Sequence, residues 1–163
     1  MPGKMTVWGV GRFMIFVSLG WLGLAILAAR AWPETFGMPF LPPAVTFIIG
    51  GLLLAVGVPL WLWCAAIVLK GFPQGRLFTS GPYACMRHPL YAAFILFLLP
   101  GGAFLGRSWP GLLAPLLMYI LFRVRIHGEE DFLLQTFGEE YARYRSQVRP
   151  ILPGRPYRKP QEP

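Results

Sequence analysis

Ala44 to Leu69 is a run of 26 residues without one charged side chain. A helix of about 20 apolar residues crosses a bilayer, and a soluble core seldom needs a longer uncharged run. In lipid the backbone must satisfy its own polar groups, so a spanning run of this kind has to be a helix. Three more apolar blocks follow the same logic. Val7 to Ala31 is one, with Arg12 near its start. Leu90 to Gly106 is short and interrupted by Pro100-Gly101-Gly102. Trp109 to about Phe122 is the last. The expected fold is an all-α membrane protein with about four transmembrane helices, in one domain of 163 residues.

The first block begins almost at the N-terminus and lacks a clear small-residue cleavage site, so it reads as a retained helix. Cys64 lies within the second block and Cys85 beyond it. They have no metal-ligand spacing, and their positions disfavour a disulfide. No metal site is expected.

The net charge of +8 raises nucleic acid as a partner, but the distribution argues against it. With four spans, Lys4, Arg12, Lys70, Arg76, Arg87 and the eight basic residues from Arg123 onward fall on one side. Only Arg30 and Arg107 fall on the other. Such a bias places both termini in the cytoplasm. The basic tail then faces anionic headgroups.

Beyond Phe122 the pattern turns amphipathic. Phe132, Leu133, Phe137, Tyr141 and Tyr144 recur at helical spacing. They predict a C-terminal cytoplasmic helical cap lying on the interface. Gly138 interrupts this run and is expected to end one helix and start another. Pro150, Pro153, Pro156 and Pro160 stop any helix, and residues 154–163 read as a disordered tail. Pro59 is expected to kink the second span. The Pro100-Gly101-Gly102 break and Pro115 are expected to loosen packing near the last hairpin, leaving a lateral gap for a lipid-like molecule.

Two polar islands remain. The first is Gly81-Pro82-Tyr83-Ala84-Cys85-Met86-Arg87-His88-Pro89-Leu90-Tyr91. Pro89 biases His88 away from helix, so His88 should project from a bend at a helix start. Free N–H groups there and the Arg87 guanidinium attract anions. A loop in which Arg87 meets lipid phosphate and His88 caps a helix is the plainer alternative. The second island holds Arg123, Arg125, His127, Glu129 and Glu130. Arg125 and Glu129, four apart, share one helix face. Three adjacent acids, Glu129 to Asp131, gain nothing from anionic lipid, and a cationic ligand such as a sulfonium or ammonium explains them better.

Four elements occur in order: Gly-Pro-Tyr-x-x-x-Arg-His-Pro-x-Tyr at 81 to 91; Glu129-Glu130-x-x-Leu133; Phe137-Gly138-Glu139-Glu140-Tyr141-x-x-Tyr144; and Val148-x-Pro150. Together they resemble the isoprenylcysteine carboxyl methyltransferase and phospholipid methyltransferase superfamily over roughly residues 70 to 153. The resemblance implies an integral membrane methyltransferase that uses S-adenosylmethionine from the cytosol and a hydrophobic acceptor from the bilayer. It implies a cofactor-binding core over 70–153, after the two N-terminal spans that hydropathy places in 1–69. By the same resemblance Tyr83, Arg87, His88, Pro89, Tyr91, Glu129 and Glu130 form the cofactor pocket. Members often carry glycine two residues after the last tyrosine of the cassette, where this chain has Ala92-Ala93.

Methyl transfer is an in-line displacement, so the protein's task is positioning in a dry, oriented site. A carboxylate acceptor is already anionic, and Arg125 or Arg149 would hold it. An amine acceptor needs a base, and Glu130 or His88 is the candidate. Three other readings compete: a membrane reductase of lipid double bonds, a haem protein using His88 and His127, and a non-catalytic scaffold.

Overall fold

A computed structural model describes residues 11–71 and 76–157. Lys4, the first residues of the N-terminal block and residues 158–163 of the tail lie outside them. Helix α1 is Gly11–Ala31, and the short α2 is Pro33–Phe36. Helix α3 is Pro43–Gly71 and the one-turn α4 is Pro82–Cys85. Helix α5 is Pro89–Leu105. A single 3₁₀ turn, Pro110–Leu112, leads into α6, Leu113–Gln147. Among the described residues α1, α3 and α6 are long and apolar enough to cross a membrane, and α5 is a shorter apolar helix.

The buried faces follow helical period. On α1 they are Met14, Ser18, Leu22, Ala25 and Ala29. On α6 they are Ala114, Met118, Phe122, Ile126 and Glu130, each four residues after the last. The stripe that packs the bundle therefore ends on a carboxylate. The outward faces stay apolar: Leu24, Leu27, Leu52 and Val124 are all exposed. Such surfaces suit lipid contact.

The proline of α5 does not break it. Residue 100 has no N–H, and its ring would clash with the carbonyl one turn back in an ordinary helix. The turn before it, Phe94–Leu98, widens to π geometry, and Leu99–Leu105 continues as α-helix through Gly101 and Gly102. On its α3 side this stretch of α5 is closely packed. A Cβ on Gly50 of α3 would stand 2.9 Å from the Gly101 carbonyl of α5. A Cβ on Gly101 would meet Leu54 at the same distance. These glycines bring α3 and α5 together.

The two ends of the bundle are distinct. At one, Ser108 Oγ donates to the Ala25 carbonyl at 2.8 Å and Trp21 Nε1 to the Pro110 carbonyl at 3.0 Å. Trp109 Nε1 donates to the Thr35 carbonyl at 2.8 Å. Arg30 and Arg107 belong to this end. At the other end Tyr91 lies against Gly11 at the start of α1, and Arg125 covers the ring of Phe13 at 5.0 Å. Helix α5 thus joins the two ends. The remaining described basic residues gather at the second end.

Candidate active site

The cassette is shaped by its punctuation. Gly81 takes φ +60°, a conformation that other residues rarely adopt. Pro82 then opens α4, and Met86 is extended. His88 sits at the N-cap of α5 with Pro89 as the first helical residue. This arrangement turns Arg87 and His88 inward towards α6. Their side chains meet the carboxylate that ends the α6 stripe.

Arg87 donates to Glu130 Oε1 from Nε at 3.0 Å and from Nη2 at 2.7 Å. Its Nη1 donates to the carbonyls of Arg145 and Val148 at 2.8 and 2.7 Å. These are end-of-helix carbonyls that α6 itself leaves without partners. One guanidinium thus joins the cassette, the Glu-Glu pair and the helix terminus. His88 is buried, with Nε2 3.3 Å from Glu130 Oε1 and its ring edge-on to Phe122. Arg145 approaches Glu130 Oε2 at 3.3 Å. Helix α6, at 35 residues, is far longer than the roughly 20 needed to cross, and Glu130 lies beyond its apolar part. Burial alone would raise the Glu130 carboxyl, but the hydrogen bonds from His88 and Arg87 and the Arg87 charge outweigh it and hold it at about 2.

Glu129 differs from its neighbour. Its Oε2 accepts from Tyr91 Oη at 3.0 Å, whereas its Oε1 is 3.9 Å from His88 Nδ1, too far for a hydrogen bond. Its side chain is 23% exposed against 5% for Glu130. Glu129 is therefore the acid that an incoming group can reach.

Of the residues singled out in the sequence, the structure gathers Arg87, His88, Tyr91, Glu129 and Glu130. Tyr83 and Pro89 are buried beneath them. Tyr83 contributes its carbonyl, which accepts from Tyr144 Oη at 2.6 Å, while its ring packs against Phe78. Burial pushes the Tyr83 phenol well above its usual range. Arg125 stays exposed over Phe13 and forms no ion pair with Glu129 among the described residues. Arg149 is exposed as well. His127 is exposed, and the His88 nitrogens face carboxylates, a poor setting for an apolar haem plate.

Three residues enter that sequence reading did not place here: Tyr141, Tyr144 and Arg145. Gly138 takes φ +52° and ψ −127° inside α6, so 113–137 and 139–147 are separate helical arms. The second arm brings Arg145 to Glu130. The segment after it then pairs with the cassette. Arg87 N and His88 N donate to the carbonyls of Arg149 and Pro150, both at 2.9 Å. Gly154 N and Tyr157 N donate back to the carbonyls of Cys85 and Ala84. Tyr157 also stands edge-on to Tyr144. Of the tail expected to be disordered over 154–163, residues 154–157 are described. Gly154 and Tyr157 are held there by the cassette's backbone, because prolines that forbid helix leave an extended chain free to pair.

The sequence pattern of the isoprenylcysteine carboxyl methyltransferase (ICMT) family matches residues 45–135. The protein-S-isoprenylcysteine O-methyltransferase of Schizosaccharomyces pombe is 38% identical over 77 residues, covering 47% of this chain and 33% of that protein. Its human counterpart is 36% identical over 77 residues, 47% of this chain and 27% of that protein. The cobalt-zinc-cadmium resistance protein CzcN of Cupriavidus metallidurans is 31% identical over 142 residues, 86% of this chain and 60% of that protein. Each match spans less than two thirds of the relative's own length.

Proposed function

Because the chain belongs to the isoprenylcysteine carboxyl methyltransferase family, we propose that it transfers a methyl group from S-adenosylmethionine to a hydrophobic, lipid-like acceptor. The observation that carries this reading is the junction of the Arg87-His88-Pro89 cassette with Glu129 and Glu130, just past the apolar end of the bundle.

The residues present suit the methyl donor. It carries a sulfonium, an ammonium and a carboxylate. Glu129 offers a partly exposed carboxylate to a cation, steadied by Tyr91. His88, Tyr91 and Glu129 would hold it, with Tyr83, Arg87, Pro89 and Glu130 as the frame beneath. When bound, S-adenosylmethionine supplies an electrophilic methyl on a positively charged sulfur. Glu130 is spent on Arg87, His88 and Arg145, and a carboxyl held at about 2 is a weak base. Its part is to fix the His88 ring and the cassette.

A carboxylate acceptor suits this site better than an amine. It needs no base, only a cation and a fixed approach. Arg125 presents an exposed guanidinium at the rim of the bundle, beside the lipid-facing surface, and is the first candidate to hold it; Arg149 is the second. An amine acceptor would leave His88 as base. The names of the S. pombe and human relatives also favour an isoprenylcysteine carboxylate. The acceptor's apolar tail would stay in the bilayer, adding about 0.8 kcal/mol per buried methylene. The basic bias of the site-bearing end supports a cytoplasmic location for it and for both termini.

The test is methyl incorporation from radiolabelled S-adenosylmethionine in detergent or vesicles. S-farnesyl-N-acetylcysteine should be labelled as a base-labile ester, and phosphatidylethanolamine should not. Exclusive labelling of the amine lipid would overturn the carboxylate assignment. Stabilisation by a nicotinamide cofactor but not by S-adenosylhomocysteine would favour the reductase reading.

A further inference from the structure

Tyr141 is 1% exposed, and its hydroxyl has no hydrogen-bond partner among the described residues. A buried donor left unpaired typically costs about 1–3 kcal/mol, so its persistence asks for a reason. The ring is well fixed. It packs with Tyr144 and Val148 against Leu77, Leu133 and Phe137. The hydroxyl lies in the field of Glu130, Arg87, Arg145 and Glu129, the charged groups of the junction.

Arg145 stands one turn further along the same helical arm, on the same face. It reaches Glu130 Oε2 at 3.3 Å, yet 40% of its side chain is exposed. A guanidinium carries five donors in a planar fork, and the contact with Glu130 is made through Nε. An orphan hydroxyl and a half-open guanidinium, four residues apart, form a donor pair. Of the two acids at the junction, Glu130 is shared with Arg87 and His88, and Glu129 is bonded to Tyr91.

We infer that Tyr141 and Arg145 bind a carboxylate of the substrates, opposite the acidic group of Glu129. The inference rests on the methyl-transfer reading. It also reaches past residue 135, where the match to the family ends. Two carboxylates belong to the proposed reaction, that of the methyl donor's amino-acid end and that of the acceptor. Both offer the planar pair of oxygens that a hydroxyl and a guanidinium can share. The arm after Gly138 is then part of the binding site, and the reversal at Gly138 is what delivers it.

The experiment compares the full chain with its Tyr141→Phe and Arg145→Gln variants. Calorimetry measures affinity for S-adenosylhomocysteine and for 5′-methylthioadenosine, which lacks the amino-acid end. Assays at saturating methyl donor give KM for S-farnesyl-N-acetylcysteine. If the methyl donor's carboxylate is the ligand, each variant loses about tenfold or more in S-adenosylhomocysteine affinity and keeps its methylthioadenosine affinity. If the acceptor's is the ligand, KM rises by a similar factor and S-adenosylhomocysteine affinity is kept. Tyr141→Phe should leave the Tm of the free protein unchanged or raised, because it removes an unpaired donor. A lowered Tm with both affinities and KM unchanged would make the hydroxyl structural and overturn the inference. Unchanged values throughout would do the same. Failure of the wild-type protein to bind S-adenosylhomocysteine would overturn the methyl-transfer reading and this inference with it.

Discussion

Arg87 and Glu130 stand 43 residues apart in sequence and share two hydrogen bonds to one carboxylate oxygen, at 3.0 and 2.7 Å. The side chains are 10% and 5% exposed. Removing Glu130 would leave the Arg87 guanidinium without its carboxylate, and removing Arg87 would leave Glu130 to His88 and Arg145 alone; breaking a buried pair in this way typically costs about 3–5 kcal/mol. Arg87→Ala and Glu130→Ala should each lower Tm in detergent markedly. The double variant should lose less than the sum, by about 1–3 kcal/mol. Strict additivity in a double-mutant cycle would mean that the two residues act independently.

The same carboxylate sets an acid limit. Glu130 is held at about 2, below its ordinary value of 4.5. A depressed carboxyl contributes stability in full above its unfolded value and loses it as pH falls towards the folded one. Thermal stability should therefore fall between about pH 5 and pH 2 in the wild type. Glu130→Gln should start lower and lose less over that interval. Equal losses in both proteins would remove Glu130 as the source.

The tail should be needed for binding. Backbone bonds from Arg87, His88, Gly154 and Tyr157 tie 149–157 to the cassette, and Arg87 grips Val148. Truncation after Gln147 should abolish S-adenosylhomocysteine binding while circular dichroism stays helical, since α1, α3, α5 and α6 remain. Full-strength binding by the truncated protein would show that the cassette keeps its shape alone.

Much of this was open to reading in the sequence, for identifiable reasons. The uncharged run at Ala44 to Leu69 demanded a spanning helix. Gly81, Pro82 and Pro89 announced a cassette, and the Glu-Glu pair lay at the matching membrane boundary. Gly138 was legible as an interruption, but not the direction of the chain after it. That direction places Tyr141 and Arg145, so their part stayed hidden. Arg87 looked like a ligand group, yet most of its donors serve Glu130 and two helix carbonyls. At Pro100-Gly101-Gly102 local propensity misled. A π turn absorbed the proline, and the glycines serve close contact with α3.

Topology can be checked without any substrate. In a protein lacking Cys64 and Cys85, single cysteines at Thr35 and Ser80 mark the two ends of the bundle. An impermeant maleimide added to intact cells should label Thr35→Cys and reach Ser80→Cys only after lysis. The reverse pattern would put the site on the outer face.

The most direct measurement of the central claim is calorimetric titration of the purified protein with S-adenosylhomocysteine, beside Glu129→Gln and His88→Ala. The wild type should bind saturably. Glu129→Gln should lose about tenfold or more in affinity with little change in Tm, since Glu129 is the more exposed of the two acids. His88→Ala should lose affinity as well, because it removes the ring between both carboxylates. Wild-type affinity in both variants, or no binding by the wild type, would contradict the assignment of this junction as the methyl-donor site.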